Sequence, residues 1–178
     1  MERRDEPGGP DAIMTRIGQV VMLLHAGDRE EARTRFGALW DEIGERGDPL
    51  HRCTLAHYMA DTQDDPEDEL AWDLRALRAA DAVTARGGTE PRGGPGGPDS
   101  PDSPGRSTGA AQIRGFYPSL HLNLAASYAK VDEDRLARSH LGLARKACDA
   151  LADDAYGDGV RAAVARMELR LLGSDQLP

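Results

Sequence analysis

Cys53, His57 and Asp61 stand four residues apart in succession, so a helix through them sets a thiol, an imidazole and a carboxyl on one face. Thiolate, imidazole and carboxylate are all zinc ligands, and a Cys beside a His is the start of a nucleophile and base pair. Neither chemistry is completed by the neighbouring residues. A single Cys within a helix has no second ligand pair, Leu55 and Ala56 beside it speak for packing, and no orienting third group or oxyanion donors are in view. His51 and His121 occupy matching places in a repeat described below, where partly buried rings can bridge an interface by hydrogen bonds. Structural and functional roles both stay open for His51, Cys53, His57 and His121. The chain carries no Gly-x-Ser-x-Gly elbow, no phosphate loop ending in Gly-Lys-Ser/Thr and no His-Glu-x-x-His. The expectation is therefore a protein that is not an enzyme, with no catalytic residue, no metal ligand and no cofactor.

The elements that position these residues follow from composition and punctuation. The chain has 178 residues, 39% hydrophobic but only 4% aromatic, and 30% charged. A core must then be built mainly from Ala, Leu and Val, which favours helices over strands. A net charge of -9 disfavours nucleic acid or an anionic membrane as partner, because no Lys/Arg cluster is present to neutralise phosphates. Cys53 and Cys148 are too few and too far apart for a disulfide framework. Residues 1–11 lack the apolar stretch of a signal peptide, and the run Val20 to Leu24 is too short to cross a bilayer. A cytoplasmic protein is the expectation.

Gly27 stops one helix; Asp28 then caps the next, with Glu31 answering as in a capping box. The same grammar recurs at Gly47-Asp48-Pro49, at Asp65-Pro66 and at Tyr117-Pro118. Between these marks the sequence predicts helices near 12–26, 28–46, 49–63, 66–86, 113–130, 133–152 and 156–172. Apolar residues recur at three and four within them, so each helix has one oily side and needs a neighbour. The Gly and Pro residues concentrate in 87–111, which is expected to be a disordered linker because it cannot bury enough apolar surface to offset its ordering entropy. The remaining divisions are a disordered 1–11, two helix pairs in 12–86, and a third pair with a closing helix in 112–173, all one domain.

The helices repeat. Leu50-His51-Arg52-Cys53-Thr54-Leu55-Ala56-His57-Tyr58 aligns with Leu120-His121-Leu122-Asn123-Leu124-Ala125-Ala126-Ser127-Tyr128 at Leu, His, Ala and Tyr. Nine residues separate Tyr128 from Ala137, and nine separate Leu23 from Ala32; Ala137, Leu141 and Ala144 then match Ala32, Phe36 and Leu39. In the middle unit the turn after Tyr58 is longer, and Leu70, Leu74 and Leu77 are expected in those roles. This spacing resembles the tetratricopeptide repeat, a helix-turn-helix of about 34 residues with a large residue late in its first helix and a small one early in its second. The Trp-Leu-Gly start and the terminal Pro of that repeat are missing, so the units are degenerate. The string Arg114 to Leu124 is also similar to one in small bacterial helical-repeat proteins, for which no activity is implied.

The resemblance implies an all-α, antiparallel helix-pair array, about three pairs and a capping helix, whose first helices line a concave groove for a peptide. Carried over, that groove takes Met14, Ile17, Val21 and His25 from the first unit, Arg52, Ala56 and Met59 from the second, and Ser119, Leu122, Ala126 and Lys130 from the third. Ile17 and Val21 stand where family members that bind acidic tails carry polar clamp residues. The implied function is thus a scaffold or adaptor that binds another protein's segment, apolar with at most one acidic group. Self-association as a homodimer through the closing helix is the alternative; a Cys/His-dependent metal-binding protein or enzyme ranks third.

Overall fold

The computed structural model describes residues 10–87 and 104–174, with their side chains over 12–85 and 112–173. The described residues form seven α-helices and no strand: α1 (Pro10–His25), α2 (Arg29–Ile43), α3 (Pro49–Ala60), α4 (Pro66–Gly87), α5 (Pro104–Lys130), α6 (Asp134–Ala147) and α7 (Ala155–Ser174), with a short 3-10 turn at Cys148–Ala150. The expected all-α class is therefore found. Most of the stretch expected to be disordered, 88–103, lies outside the described residues, as does 1–9. Its far end does not: α5 begins at Pro104 rather than near 113.

The helix signals in the sequence act unevenly. Asp48 caps α3 as expected, accepting from the Leu50 amide at 2.8 Å and the His51 amide at 3.3 Å, with Pro49 in the first turn. Asp48→Ala should therefore cost about 1 kcal/mol in a urea unfolding curve. Asp65 caps α4 likewise, on the Glu67 amide at 2.8 Å. The capping box at Asp28 does not form: Asp28 makes no side-chain cap, and Glu31 pairs instead with Arg35 one turn on, at 2.6 Å. An arginine at i+4 offers Glu31 a charged partner, which outcompetes a backbone amide. The stop of α2 falls at Gly44, whose φ of +64° suits glycine, and not at Gly47. Gly47 serves the close return of the chain, since a Cβ there would lie 2.0 Å from Ile43 Cγ2.

Pro118 is likewise not a helix start. It lies buried inside α5, where it removes the donor that the Arg114 carbonyl would use and crowds the turn before it. Tyr156, at the start of α7, covers this turn: its hydroxyl donates to the Gly115 carbonyl at 3.2 Å and sits 2.8 Å from Ser119 Oγ. The helix defect thus becomes the docking point of α7.

Each helix packs on the next along the chain. In addition the backbones of α1 and α3, of α3 and α5, and of α5 and α7 approach closely, whereas among the described residues those of α2, α4 and α6 do not, α2 and α4 meeting through side chains where Trp40 packs on Trp72. Helices that touch on one side of a row and splay on the other make a curved row, with the odd-numbered helices on its inner side. Three core clusters follow from this order. Ile17, Val20, Ala32, Phe36, Leu39, Leu55 and Met59 fill the space between α1, α2 and α3. Cys53, Ala56, Ala76, Ala79, Ala80, Ile113 and Leu120 join α3, α4 and α5. Leu141, Val160, Val164, Met167 and Leu171 lead the third, between α6 and α7 against α5.

The repeated positions Ala32, Phe36 and Leu39, and Ala137, Leu141 and Ala144, are all buried. The middle unit departs from expectation. Leu70, Leu74 and Leu77 are only partly buried, and the same four-three-four spacing, moved one residue earlier, runs through Glu69, Asp73, Ala76 and Ala80. Asp73, 2% exposed, thus takes the place that Phe36 and Leu141 hold in the other units. Apolar residues lost this register because α5 presents polar partners to it.

Candidate functional site

The polar partners form a seam between α3, α4 and α5. Ser127 on α5 donates to Asp73 Oδ2 at 2.6 Å and lies 3.4 Å from Glu69 Oε1. Lys130, one turn on, holds both oxygens of Glu69 at 2.6 and 2.7 Å. Asn123, one turn back, reaches His57 Nδ1 on α3 at 3.4 Å. Positions 123, 127 and 130 share one face of α5 because they recur at four and three, and the carboxylates of α4 answer them at the same spacing. An Ala-rich helix such as α4 could slide along its neighbour; these directional bonds fix its register.

Burial dominates the electrostatics of the seam. It pushes the Asp73 carboxyl up to about 7 against the pull of the Ser127 hydroxyl, and Glu69 and Asp61 add to the rise. Asp73 Oδ1 is buried with no hydrogen-bond partner. Burial alone pulls the His57 imidazole down to about 4, so it is neutral at pH 7. The seam opens at one end on a pocket of about 430 Å³ lined by Arg29, Asp61, Gln63, Asp64, Glu69 and Lys130. This pocket is already occupied by its own ion pairs. Arg29 and Arg33 of α2 bind the last carbonyls after α3, Arg33 Nε reaching Thr62 O at 2.8 Å, and both pair with Asp64. The bond from Arg33 holds the Asp64 carboxyl below its ordinary range. These contacts cap α3 and join α2 to the turn beyond it.

The line Cys53, His57, Asp61 does fall along one helix, but the three side chains go to different places. Cys53 is fully buried in the middle core, where burial pushes its thiol up to about 12. A thiol so placed is neither a thiolate ligand nor a nucleophile at neutral pH. His57 enters the seam and packs edge-on to Phe116 at 6.0 Å, and Asp61 lines the pocket. Among the described residues no group of three or more His, Cys, Asp and Glu could hold a metal ion. His51 is buried at 6% exposure.

The groove positions divide. Ile17, Ala56 and Met59 are core: Met59 packs with Ile17 and Val20 toward α1, and Ala56 with Ile113 and Leu120 toward α5. The inner side of α3 is sealed by its neighbours, because the odd helices approach one another closely. No chain matches this one, whether among family models, curated proteins or solved structures. The remaining groove positions must be judged on their own contacts. Met14 and His25 are exposed on α1, and Val21 is half-buried. Ser119 is engaged by Tyr156, and Leu122 and Ala126 lean on the α5–α7 core. Arg52 places its guanidinium 5.2 Å from the Trp40 ring centre and donates to the Glu45 carbonyl at 2.6 Å, while Lys130 is bound to Glu69. Both cations expected to meet a ligand are thus used internally.

A third grouping, not singled out by the sequence beyond His121, spans α5 and α6. His121 and His140 meet with their Nδ1 atoms 3.1 Å apart. Tyr117 stacks on His121 at 5.9 Å between ring centres and Tyr128 on His140 at 5.3 Å, giving a row of four rings. Tyr117 donates to Asp81 Oδ1 of α4 at 2.8 Å.

No helix among the described residues is long and apolar enough to cross a membrane.

Proposed function

We propose that this chain is a tetratricopeptide-like adaptor that holds a segment of another protein against the inner side of its helix row. The observation that carries the reading is the close backbone approach of α1 to α3, α3 to α5 and α5 to α7, with the even-numbered helices set farther apart behind. A row curved in this way presents an extended concave surface built from one helix per unit. The matching burial of Ala32 with Ala137, Phe36 with Leu141 and Leu39 with Ala144 supports the repeat, whose middle unit on this reading carries Asp73 at the place of Phe36 and Leu141. The open part of the surface is the α1 edge with Met14, Val21 and His25 and the α5 strip with Leu122 and Ala126. Its chemistry suits an apolar segment, since Lys130 is held by Glu69 and the Arg52 guanidinium is engaged by Trp40 and the Glu45 carbonyl, with its Nε buried.

The test compares proteins captured by the wild-type chain with those captured by a Met14→Glu, His25→Glu, Leu122→Gln variant whose far-UV spectrum and melting are unchanged. Loss of specific partners is expected. An identical set of captured proteins would sink the reading. A second reading, self-association, is favoured by the far end of the row. There Leu172, 60% exposed, lines a cleft of about 400 Å³ between α6 and α7, and Leu143 and Leu169 are 41% and 71% exposed on the same two helices. Light scattering over a range of concentrations separates the two, because only the second predicts a mass that doubles.

A further inference from the structure

We propose that the protein pairs with a second copy of itself through the outer face of α7, the two helices running antiparallel and centred at the level of Met167. The proposal rests on the self-association reading and gives it a surface and a direction. α7 carries two apolar stripes. Val160, Val164, Met167 and Leu171 are buried against α5 and α6. On the opposite face Ala162, Ala165, Leu169 and Leu172 recur at three, four and three, and all of them are exposed. A helix that is apolar on two opposite sides calls for a neighbour on both. Among the described residues no helix covers the second stripe, because α7 closes the row and touches only α5, α6 and the 3-10 turn.

The order of sizes along the stripe selects both the occupant and its direction. Two alanines are followed by two leucines, so the stripe is low at one end and high at the other. Against an antiparallel copy every layer sets large on small: Leu172 meets the partner's Ala162 and Leu169 meets the partner's Ala165. The two helices then keep one separation along the whole seam. A parallel copy would set leucine on leucine at one end, and those leucines would hold the alanines apart at the other. Spacing by three and four makes the four residues the seam of a short antiparallel pair. The same patch serves both copies, so the contact closes at two chains. The seam is about 15 Å long at 1.5 Å per residue, which suits a reversible pair.

The experiment uses full chains carrying Ala162→Cys or Leu172→Cys singly. Under mild oxidation an equal mixture of the two should give a disulfide-linked dimer, and each alone should not. Like positions at the ends of an antiparallel seam lie about 15 Å apart, beyond the reach of a disulfide. Cys53 and Cys148 are buried, so the wild-type chain gives the background. Without oxidation, light scattering of the wild-type chain should show a mass that rises toward two chains with concentration. Leu169→Glu should weaken this association by at least roughly a hundredfold, since it buries a carboxylate in two symmetry-related layers. Leu169 is exposed in the single chain, so the melting of a dilute sample should stay unchanged. Ala165→Leu should also weaken the pair, and Ala165→Leu with Leu169→Ala should restore it, because large again meets small. If the mass doubles but either single-cysteine chain cross-links with itself as well as the mixture does, this pairing is overturned and self-association stands. A mass of one chain at every concentration overturns both.

Discussion

Asp73→Asn should raise stability at pH 8 by about 2 kcal/mol and should uncover a pH dependence that the wild-type protein hides. The Asp73 carboxyl titrates near 3.8 in the unfolded chain and at about 7 when folded. Between those values the folded state holds the extra proton, so the contribution of this group is full below pH 3.8 and is lost as pH rises to about 7. Three pH units correspond to about 4 kcal/mol. Roughly half of that should be recovered in the variant, because its amide is still desolvated and must still satisfy Ser127. His57 runs the opposite way. Its imidazole titrates near 6.5 unfolded and about 4 folded, so its contribution is full above pH 6.5 and is lost as pH falls to about 4, by about 3 kcal/mol.

The two slopes oppose each other between pH 4 and 6.5, so in the wild-type protein each masks the other. In Asp73→Asn the opposing slope is removed, so stability should rise with pH across that window more steeply than in the wild-type protein. In His57→Gln the slope that offsets Asp73 is removed, so stability should fall relative to the wild-type protein as pH rises from 4 to 7. Urea midpoints at half-unit pH steps, at constant m, measure both. If the two variants give profiles parallel to that of the wild-type protein, the seam is not the titrating element.

The helices were legible in the sequence because Gly, Asp and Pro mark their ends and the oily residues recur at three and four. The core of the outer units was legible for the same reason: Ala32, Phe36 and Leu39 carry the pattern in apolar residues. In the middle unit that criterion picked Leu70, Leu74 and Leu77 over Glu69, Asp73 and Ala76. A carboxylate qualifies as a core residue only through its partner, and Ser127 is 54 positions away. The strict spacing of the other two units was the signal that could have found it, had polar residues been allowed at the core positions. The groove was misjudged at α3 for a different reason. Positional transfer from a repeat family assumes a standard separation between first helices, whereas here Met59 and Ala56 are closed over from α1 and α5. His140 carried no signal of its own, because its pairing with His121 is a property of how α6 lies on α5. Tyr156 is similar, being tied to a defect at Pro118 that the sequence presents as a helix start.

Phe36→Ala should cost about 4 kcal/mol and should unfold the first helix pair ahead of the rest. Phe36 is fully buried between α1, α2 and α3 and stacks with Tyr58 at 6.3 Å between ring centres. Removing the ring loses its transfer free energy and leaves a cavity that Ile17, Leu39 and Leu55 can close only in part. The position of that loss in the row decides its form. The α1–α2 pair is attached at one end of the row only, to α3 and through Trp40 to Trp72 of α4, whereas α3 to α6 pack on one another more extensively. In a row where each unit contacts only its neighbours, stability is a sum of unit and interface terms, and a terminal unit deprived of its own core separates first. Trp40 on α2 reports this directly, because it meets Trp72 of α4 edge-on at 4.9 Å. In a Trp72→Phe background its emission should shift at low urea, before most of the far-UV signal is lost. Leu141→Ala, at the matching place in α6, should destabilise by about 3 kcal/mol with a single transition, since α5 and α7 hold that unit on both sides. Coincident fluorescence and far-UV transitions in Phe36→Ala would show that the row melts as one body and that its end is not the weaker part.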